Sequence, residues 1–340
     1  MKIYLDAYLS KNLGDDLFID ILLKRYPNHK YVAISKGEKY NIKNLKVYRN
    51  SYFYRAIKKF AAEKYIANKC DLVITIGGSM YIENNDSNRD FTLGKNKRYI
   101  LGSNFGPYQT NEYLKNLHSV FKNAEDVCFR EEYSYNLFKD LPNVRYAQDI
   151  VFSLDVRDIK ITKSKRAIIS VIDCKSKLDE KYQGIYEQKL VDLIEYLFEK
   201  DYKVCLMSFC KAENDELAIN RIINKLDEKS KNKIEKYFYN GNIEEALNNI
   251  GNSSVVIGSR FHAIILGLLM NKAVLPIIYS NKTKNVLEEN NIDVKIFNIK
   301  NINEFNPINL EENDFTKIHN IDHMINSSQN QFKQLDTILK

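Results

Sequence analysis

The chain has no tryptophan and no two cysteines at C-x-x-C spacing; its five cysteines, Cys70, Cys128, Cys174, Cys205 and Cys210, are an odd number placed mostly in apolar runs. That excludes a disulfide framework and a cysteine-built metal site, and it predicts buried thiols. No apolar run is long enough to span a bilayer, and the opening MKIYLDAYLSKNLGDD reaches acidic residues before a signal-peptide core can form. A cytoplasmic protein is expected. G-x-G-x-x-G is absent, as is the phosphate-loop pattern ending in Gly-Lys-Ser/Thr, so nicotinamide chemistry and P-loop hydrolysis lose their main support. There is no continuous basic tract either: the net charge of +7 comes from lysines mixed with glutamate and aspartate. This pattern favours small anions or an anionic membrane surface over nucleic acid. The cluster Tyr54-Arg55-Ala56-Ile57-Lys58-Lys59-Phe60 reads as a membrane-facing patch or one solvated helix face.

What is present is an ordinary globular balance, 44% apolar and 28% charged, over 340 residues, enough for two domains that each bury a core. Short β-rich runs alternate with helical patterns, the signature of parallel sheets covered by helices. The first series of strands is expected at Lys2–Leu5, Tyr31–Ile34, Asp71–Ile76, Arg98–Leu101 and Val127–Phe129. The second is expected at Arg166–Ile172, Lys203–Met207, Ser254–Ile257 and Ala273–Ile278. The charged segment Asp155–Lys165 reads as a linker. The expected architecture is α/β, two Rossmann-like doubly wound domains facing a cleft: residues 1–155, residues 166–300, and a C-terminal helical tail over 301–340.

In such folds ligands bind at the carboxyl ends of strands, where loops and helix amino termini supply unpaired N–H groups. Three glycine-bearing loops stand at these places: Asn12-Leu13-Gly14-Asp15, Gly77-Gly78-Ser79, and Gly102-Ser103-Asn104-Phe105-Gly106-Pro107. Glycine there lets a backbone approach a ligand closely. Asp15 is also placed to cap the helix that carries Leu17, Ile21 and Leu22. Arg130 follows Val127-Cys128-Phe129; it reads either as an anion-binding residue or as the ion-pair partner of Glu131 and Glu132. Arg260 and His262 follow the strand end Gly258-Ser259 and open an apolar helix, a place suited to an anion, with a bound phosphate holding the imidazole protonated. Lys282, in Tyr279-Ser280-Asn281-Lys282, is a further point charge at a strand end. His319 and His323 are four apart, but no third metal ligand accompanies them.

Taken in order, Asn12-Leu13-Gly14-Asp15, Ile76-Gly77-Gly78, Phe105-Gly106-Pro107, Phe129-Arg130-Glu131, Ser259-Arg260-Phe261-His262-Ala263 and Tyr279-Ser280-Asn281-Lys282 resemble the motifs of the polysaccharide pyruvyl transferase family. The resemblance implies a fold similar to that of the two-domain GT-B glycosyltransferases. It implies phosphoenolpyruvate as donor and a sugar diol of a surface or capsular glycan precursor, free or lipid-linked, as acceptor. It assigns the basic donor-binding residues to Arg130, Arg260 and His262. Gly14, Gly77, Gly78, Asn104, Gly106, Ser259 and Lys282 complete the candidate binding set.

On that reading the two arginines, one from each half, hold the donor's carboxylate and phosphate, and protonated His262 delivers a proton to the methylene carbon. Asp15, ahead of Asp149 and Glu83, is the candidate base for the acceptor hydroxyl. The scheme needs no metal or cofactor. With a lipid-linked acceptor it implies peripheral contact with the inner face of the membrane. Two rivals remain: a GT-B-type glycosyltransferase whose nucleotide-sugar diphosphate meets the same arginines, and a sugar-binding or assembly protein without turnover.

Overall fold

A computed structural model of the 340-residue chain describes all residues except 36–39, 50–58, 84–90, 92–95, 162–163, 312–313, 316 and 318–319. The basic cluster at Tyr54–Phe60 therefore lies mostly outside the described residues, and so does His319. The chain divides into two compact units. The first comprises Met1–Ser10, Asp15–Leu154 and His323–Lys340; the second comprises Lys11–Gly14 and Asp155–Asp322.

The first unit is built on a seven-stranded sheet: β1 (Lys2–Ala7), β2 (Lys30–Ser35), β3 (Leu45–Arg49), β4 (Leu72–Ile76), β5 (Lys97–Ser103), β6 (Asp126–Phe129) and β7 (Val144–Tyr146), in the order β3-β2-β1-β4-β5-β6-β7. All its pairings are parallel. The second unit carries a six-stranded parallel sheet of β8 (Arg166–Ser170), β9 (Lys203–Ser208), β10 (Glu235–Phe238), β11 (Val255–Gly258), β12 (Ala273–Ile278) and β13 (Phe297–Asn298), in the order β10-β9-β8-β11-β12-β13. Each order reverses direction once, between β1 and β4 and between β8 and β11, and a reversal of this kind opens a crevice at the strand ends.

The two parallel α/β folds are those the alternating pattern predicts. The nine strands read from the sequence are present, and the four others, β3, β7, β10 and β13, are the outermost strands of their sheets. Inner strands are covered on both faces and so read as unbroken apolar runs. Ile168, Ile169, Val256, Ile257, Val274 and Leu275 are each fully buried, and burying a side chain of this kind stabilises by about 1.5–3 kcal/mol. β10, with two exposed residues out of four, carries no such signal. All five cysteines are buried free thiols.

Two segments differ from the expected plan. In the described part of Asp155–Lys165 the connection is packed rather than open: the N–H of Lys160 donates to Asn248 Oδ1 (3.3 Å), and a Cβ on Gly251 would meet Ile159 at 2.8 Å. Ile159 and Lys160 lie against the helix Ile243–Gly251. Residues 301–340 do not form one tail, because the part up to Asp322 packs in the second unit and His323–Lys340 completes the first. Gln331 shows why. It is fully buried, accepting the N–H of Gly102 (2.9 Å) and donating to the carbonyl of Ala147 (2.8 Å).

The same terminal segment is held by charge. Arg25 donates from Nε and Nη2 to the two oxygens of Asp336 (2.9 and 2.6 Å), and the Tyr26 hydroxyl donates to the same carboxylate at 2.7 Å. Partial burial alone would raise the Asp336 pKa, but Arg25, Tyr26 and Lys340 outweigh it and hold the carboxyl down to about 2. A carboxyl depressed in the folded state adds stability that is fully present above its unfolded value, near 4, and is lost as pH falls through the folded one. Asp336→Asn should therefore lower the melting temperature at about pH 6, with the gap to the unsubstituted protein closing between about pH 4 and pH 2. A gap that stays constant with pH would refute this account.

Candidate active site

In the second unit β11 ends at Gly258, which pairs with Ser170 at the end of β8. That register brings the next turn against the Ser170 hydroxyl, whose oxygen accepts the N–H groups of Ser259 (3.0 Å) and Arg260 (3.1 Å). The Ser259 hydroxyl lies 2.8 Å from that of Tyr186. Ser259 is thus a buried brace of the turn, its N–H and hydroxyl both engaged within the unit.

Arg260 occupies the amino-terminal cap position of the helix Phe261–Leu269 with an extended backbone, and its side chain is 8% exposed. It is not open-handed. Nε donates to Asp215 Oδ2 at 3.1 Å, Nη2 to Asp215 Oδ1, and Nη1 to Glu213 Oε2. Burial alone would favour loss of the proton, but the two carboxylates outweigh it and keep Arg260 cationic. Asp215 is anchored in turn by the N–H groups of Phe209 (3.0 Å) and Cys210 (2.9 Å). Neither carboxylate stands out in the sequence as a partner; the only signal is an acidic pair soon after the carboxyl end of β9.

His262 lies in the first turn of the same helix, half-buried, its ring centroid 5.0 Å from that of Phe261. Gly14 reaches it from far away in the sequence. A Cβ built on Gly14 would stand 1.9 Å from Nδ1 of His262 and 2.6 Å from Cε1, so any side chain there would displace the imidazole from this position. The backbone at Gly14 is held by its neighbours: Leu13 N–H donates to the carbonyl of Phe209 (3.0 Å) and Gly14 N–H to Asn12 Oδ1 (3.1 Å). Asn12 therefore does the capping work at the start of the helix Leu13–Arg25, and Asp15, expected to cap it, sits instead inside the first turn. Lys282 is half-buried in the first turn of the helix Asn281–Glu289, beyond the end of β12.

The first unit assembles the other candidates around Arg130 at the end of β6. Its Nη1 donates to Asp149 at 2.7 Å and its Nη2 to Asn104 Oδ1 at 2.9 Å. Both ion-pair partners are shielded, with side-chain exposures of 5% and 0%. The alternative pairing with the adjacent glutamates is not found: Glu131 accepts from the Ser134 hydroxyl (2.7 Å), which itself accepts the N–H of Phe105 (2.8 Å). Gly78 lies flat on the guanidinium, since a Cβ there would come within 2.5 Å of Nη2. Gly77, at φ +148°, turns the loop, and its Cβ would stand 3.7 Å from an Asp15 carboxylate oxygen. Asn104 N–H donates to the carbonyl of Gly78 (2.8 Å) and its Nδ2 to that of Gly106 (3.4 Å), tying the two glycine loops together.

Of the three candidate bases, Asp149 is fully buried and occupied by Arg130 and by the N–H of Val151 (2.8 Å). Glu83 accepts the N–H of Thr110 (2.8 Å), bracing the cap of the helix Asn111–Lys122. Both are structural partners in this arrangement. Asp15 is half-buried, and one of its carboxylate oxygens lies beside the Gly77 loop.

Among the described residues no helix is long and apolar enough to cross a membrane. Comparison with known proteins agrees with the fold. The chain superposes on Anabaena HepE in complex with UDP and glucose (TM-score 0.55, 11% identity, 100% of this chain and 99% of that one). It also superposes on Methanocaldococcus jannaschii UDP-GlcNAc 2-epimerase (0.60, 12%, 99% of each chain) and on S. aureus MnaA with UDP (0.56, 10%, 100% and 98%). At such identities the likeness shows a shared GT-B-like fold. No curated protein matches the chain. The family model described as polysaccharide pyruvyl transferase matches residues 12–281, from the Asn12-Leu13-Gly14 loop through the Arg260-x-His262 turn to the start of the helix bearing Lys282. The chain belongs to the polysaccharide pyruvyl transferase family and is a transferase.

Proposed function

We propose that the protein transfers the pyruvyl group of phosphoenolpyruvate onto two hydroxyls of a sugar in a surface or capsular glycan precursor, forming a ketal and releasing phosphate. The observation that carries this reading is the meeting of Gly14 with His262. Two family motifs distant in sequence are fitted to one imidazole, beside an arginine held cationic.

The chemistry asks for little else. His262, protonated, gives its proton to the methylene carbon, which becomes the methyl group, while positive charge develops at C2. A sugar hydroxyl adds to C2 and loses its proton to a base, for which Asp15 is the candidate. The C2–O bond to phosphate breaks, the departing dianion is stabilised by Arg260, and the second hydroxyl closes the ketal with its proton leaving to solvent or phosphate. Lys282 adds charge stabilisation at a neighbouring strand end. Arg130 carries the donor role that the family motif gives it, from a guanidinium already fixed by Asp149 and Asn104.

The test is thermal unfolding with phosphoenolpyruvate and, separately, with UDP and UDP-sugars. A ligand that binds only the folded state raises the melting temperature. Phosphoenolpyruvate should raise it in the unsubstituted protein and in His262→Ala, and much less in Arg260→Ala or Arg130→Ala. Donor turnover should fall by about a hundredfold or more in His262→Ala. A shift confined to the nucleotides would reject pyruvyl transfer in favour of glycosyl transfer, and full turnover in His262→Ala would remove the proton-donor role.

A further inference from the structure

Three neighbouring strand ends of the second unit, those of β9, β8 and β11, place four charged side chains together. Beyond β9 come Glu213 and Asp215, beyond β8 comes Lys177 on the short helix Cys174–Lys177, and beyond β11 comes Arg260. The two carboxylates differ in kind. Asp215 is fully buried, grips Nε and Nη2 of Arg260 and takes two backbone N–H groups, so it is an anchor. Glu213 ends the single 3₁₀ turn Lys211–Glu213, ahead of Asn214 in the left-handed conformation. Its side chain is 18% exposed, and one oxygen bridges Nη1 of Arg260 and the Nζ of Lys177, the latter at 2.7 Å. Lys177 itself is 21% exposed.

We propose that Lys177 and Arg260 form an anion slot, which Glu213 fills with its own carboxylate and yields by side-chain rotation to a carboxylate or phosphate of the incoming donor. The backbone of Glu213 is held by its N–H, which donates to the carbonyl of Cys210 (3.2 Å), so rotation of the side chain alone exchanges the occupant. Charge supports the exchange. With Glu213 in place two cations face two carboxylates; with it turned away, Lys177 and Arg260 face Asp215 alone, and an anionic ligand restores the balance. The carboxylate of Glu213 is well suited to this duty: burial pushes its pKa up, but Arg260 and Lys177 outweigh that and hold it below the ordinary value. Lys177 thereby becomes a donor-binding residue alongside Arg260, and Glu213 a built-in competitor that sets how tightly the donor binds.

The inference rests on the assignment of Arg260 to an anionic donor, so the experiment separates the two. The full chain is titrated calorimetrically with phosphoenolpyruvate, inorganic phosphate and UDP, using the unsubstituted protein, Glu213→Gln and Lys177→Met. Circular dichroism confirms that each variant is folded, and Glu213→Asp, which withdraws the carboxylate by one methylene, replaces Glu213→Gln if that variant fails to fold. Glu213→Gln is expected to bind phosphoenolpyruvate about tenfold more tightly and Lys177→Met about tenfold more weakly. Tightening for UDP or phosphate without phosphoenolpyruvate would keep the slot and overturn the donor assignment. No tightening for any of the three would overturn the slot, and an unchanged Lys177→Met would remove Lys177 from it.

Discussion

Gly14→Ala is expected to cost at least about a hundredfold in turnover while leaving the protein folded. The added Cβ would lie 1.9 Å from Nδ1, 2.6 Å from Cε1 and 2.8 Å from Cγ of His262, well inside the distance at which two such atoms touch. The backbone cannot yield easily, because Asn12 and the carbonyl of Phe209 hold it on either side of Leu13. The imidazole must turn instead. Folding should not suffer, since alanine within a helix is favoured over glycine by about 1 kcal/mol. The discriminating readouts are the melting temperature, unchanged or raised, and the NMR signal of the His262 ring, displaced. In a His262→Ala background the Gly14→Ala substitution should cost nothing more, because the atom it collides with is gone. Full turnover in Gly14→Ala, or an equal further loss in the double variant, would show that Gly14 does not act through His262.

Asp149→Ala is expected to destabilise the first unit by about 3–5 kcal/mol, the usual result of stranding one partner of a buried ion pair. Arg130 is 5% exposed and covered by Gly78, so water has little access to take the place of the carboxylate. The same change removes the acceptor for the N–H of Val151. Asp149→Asn keeps an oxygen for that N–H and should lose less. Calorimetric unfolding of the two variants checks the order. A loss below about 1 kcal/mol for Asp149→Ala would mean that the pair behaves as an exposed one and that Arg130 is more open than its packing indicates.

These two results concern different units, and together they show which features of the site were legible. The chemistry-bearing types were: an arginine and a histidine opening an apolar helix, an arginine after β6, and glycines at strand ends. What each touches was not. Arg130 is flanked in sequence by Glu131 yet pairs with Asp149, because β5 and β6 set Asn104 and Arg130 side by side while the turn after β7 brings Asp149 to them. Arg260 finds Glu213 and Asp215 because β9, β8 and β11 are neighbours in the sheet.

By itself the sequence determined the fold class, the inner strands and the family, since burial on both faces of a parallel sheet demands unbroken apolar runs and the motifs stand at fixed places relative to them. Tertiary structure alone decided the four edge strands, whose open sides tolerate polar residues, and the division of the C-terminal segment between the two units. It also decided the carboxylates that neutralise both arginines and the contact by which Gly14 leaves room for the His262 ring. Those depend on strand order and register, which bring together residues that no local pattern links.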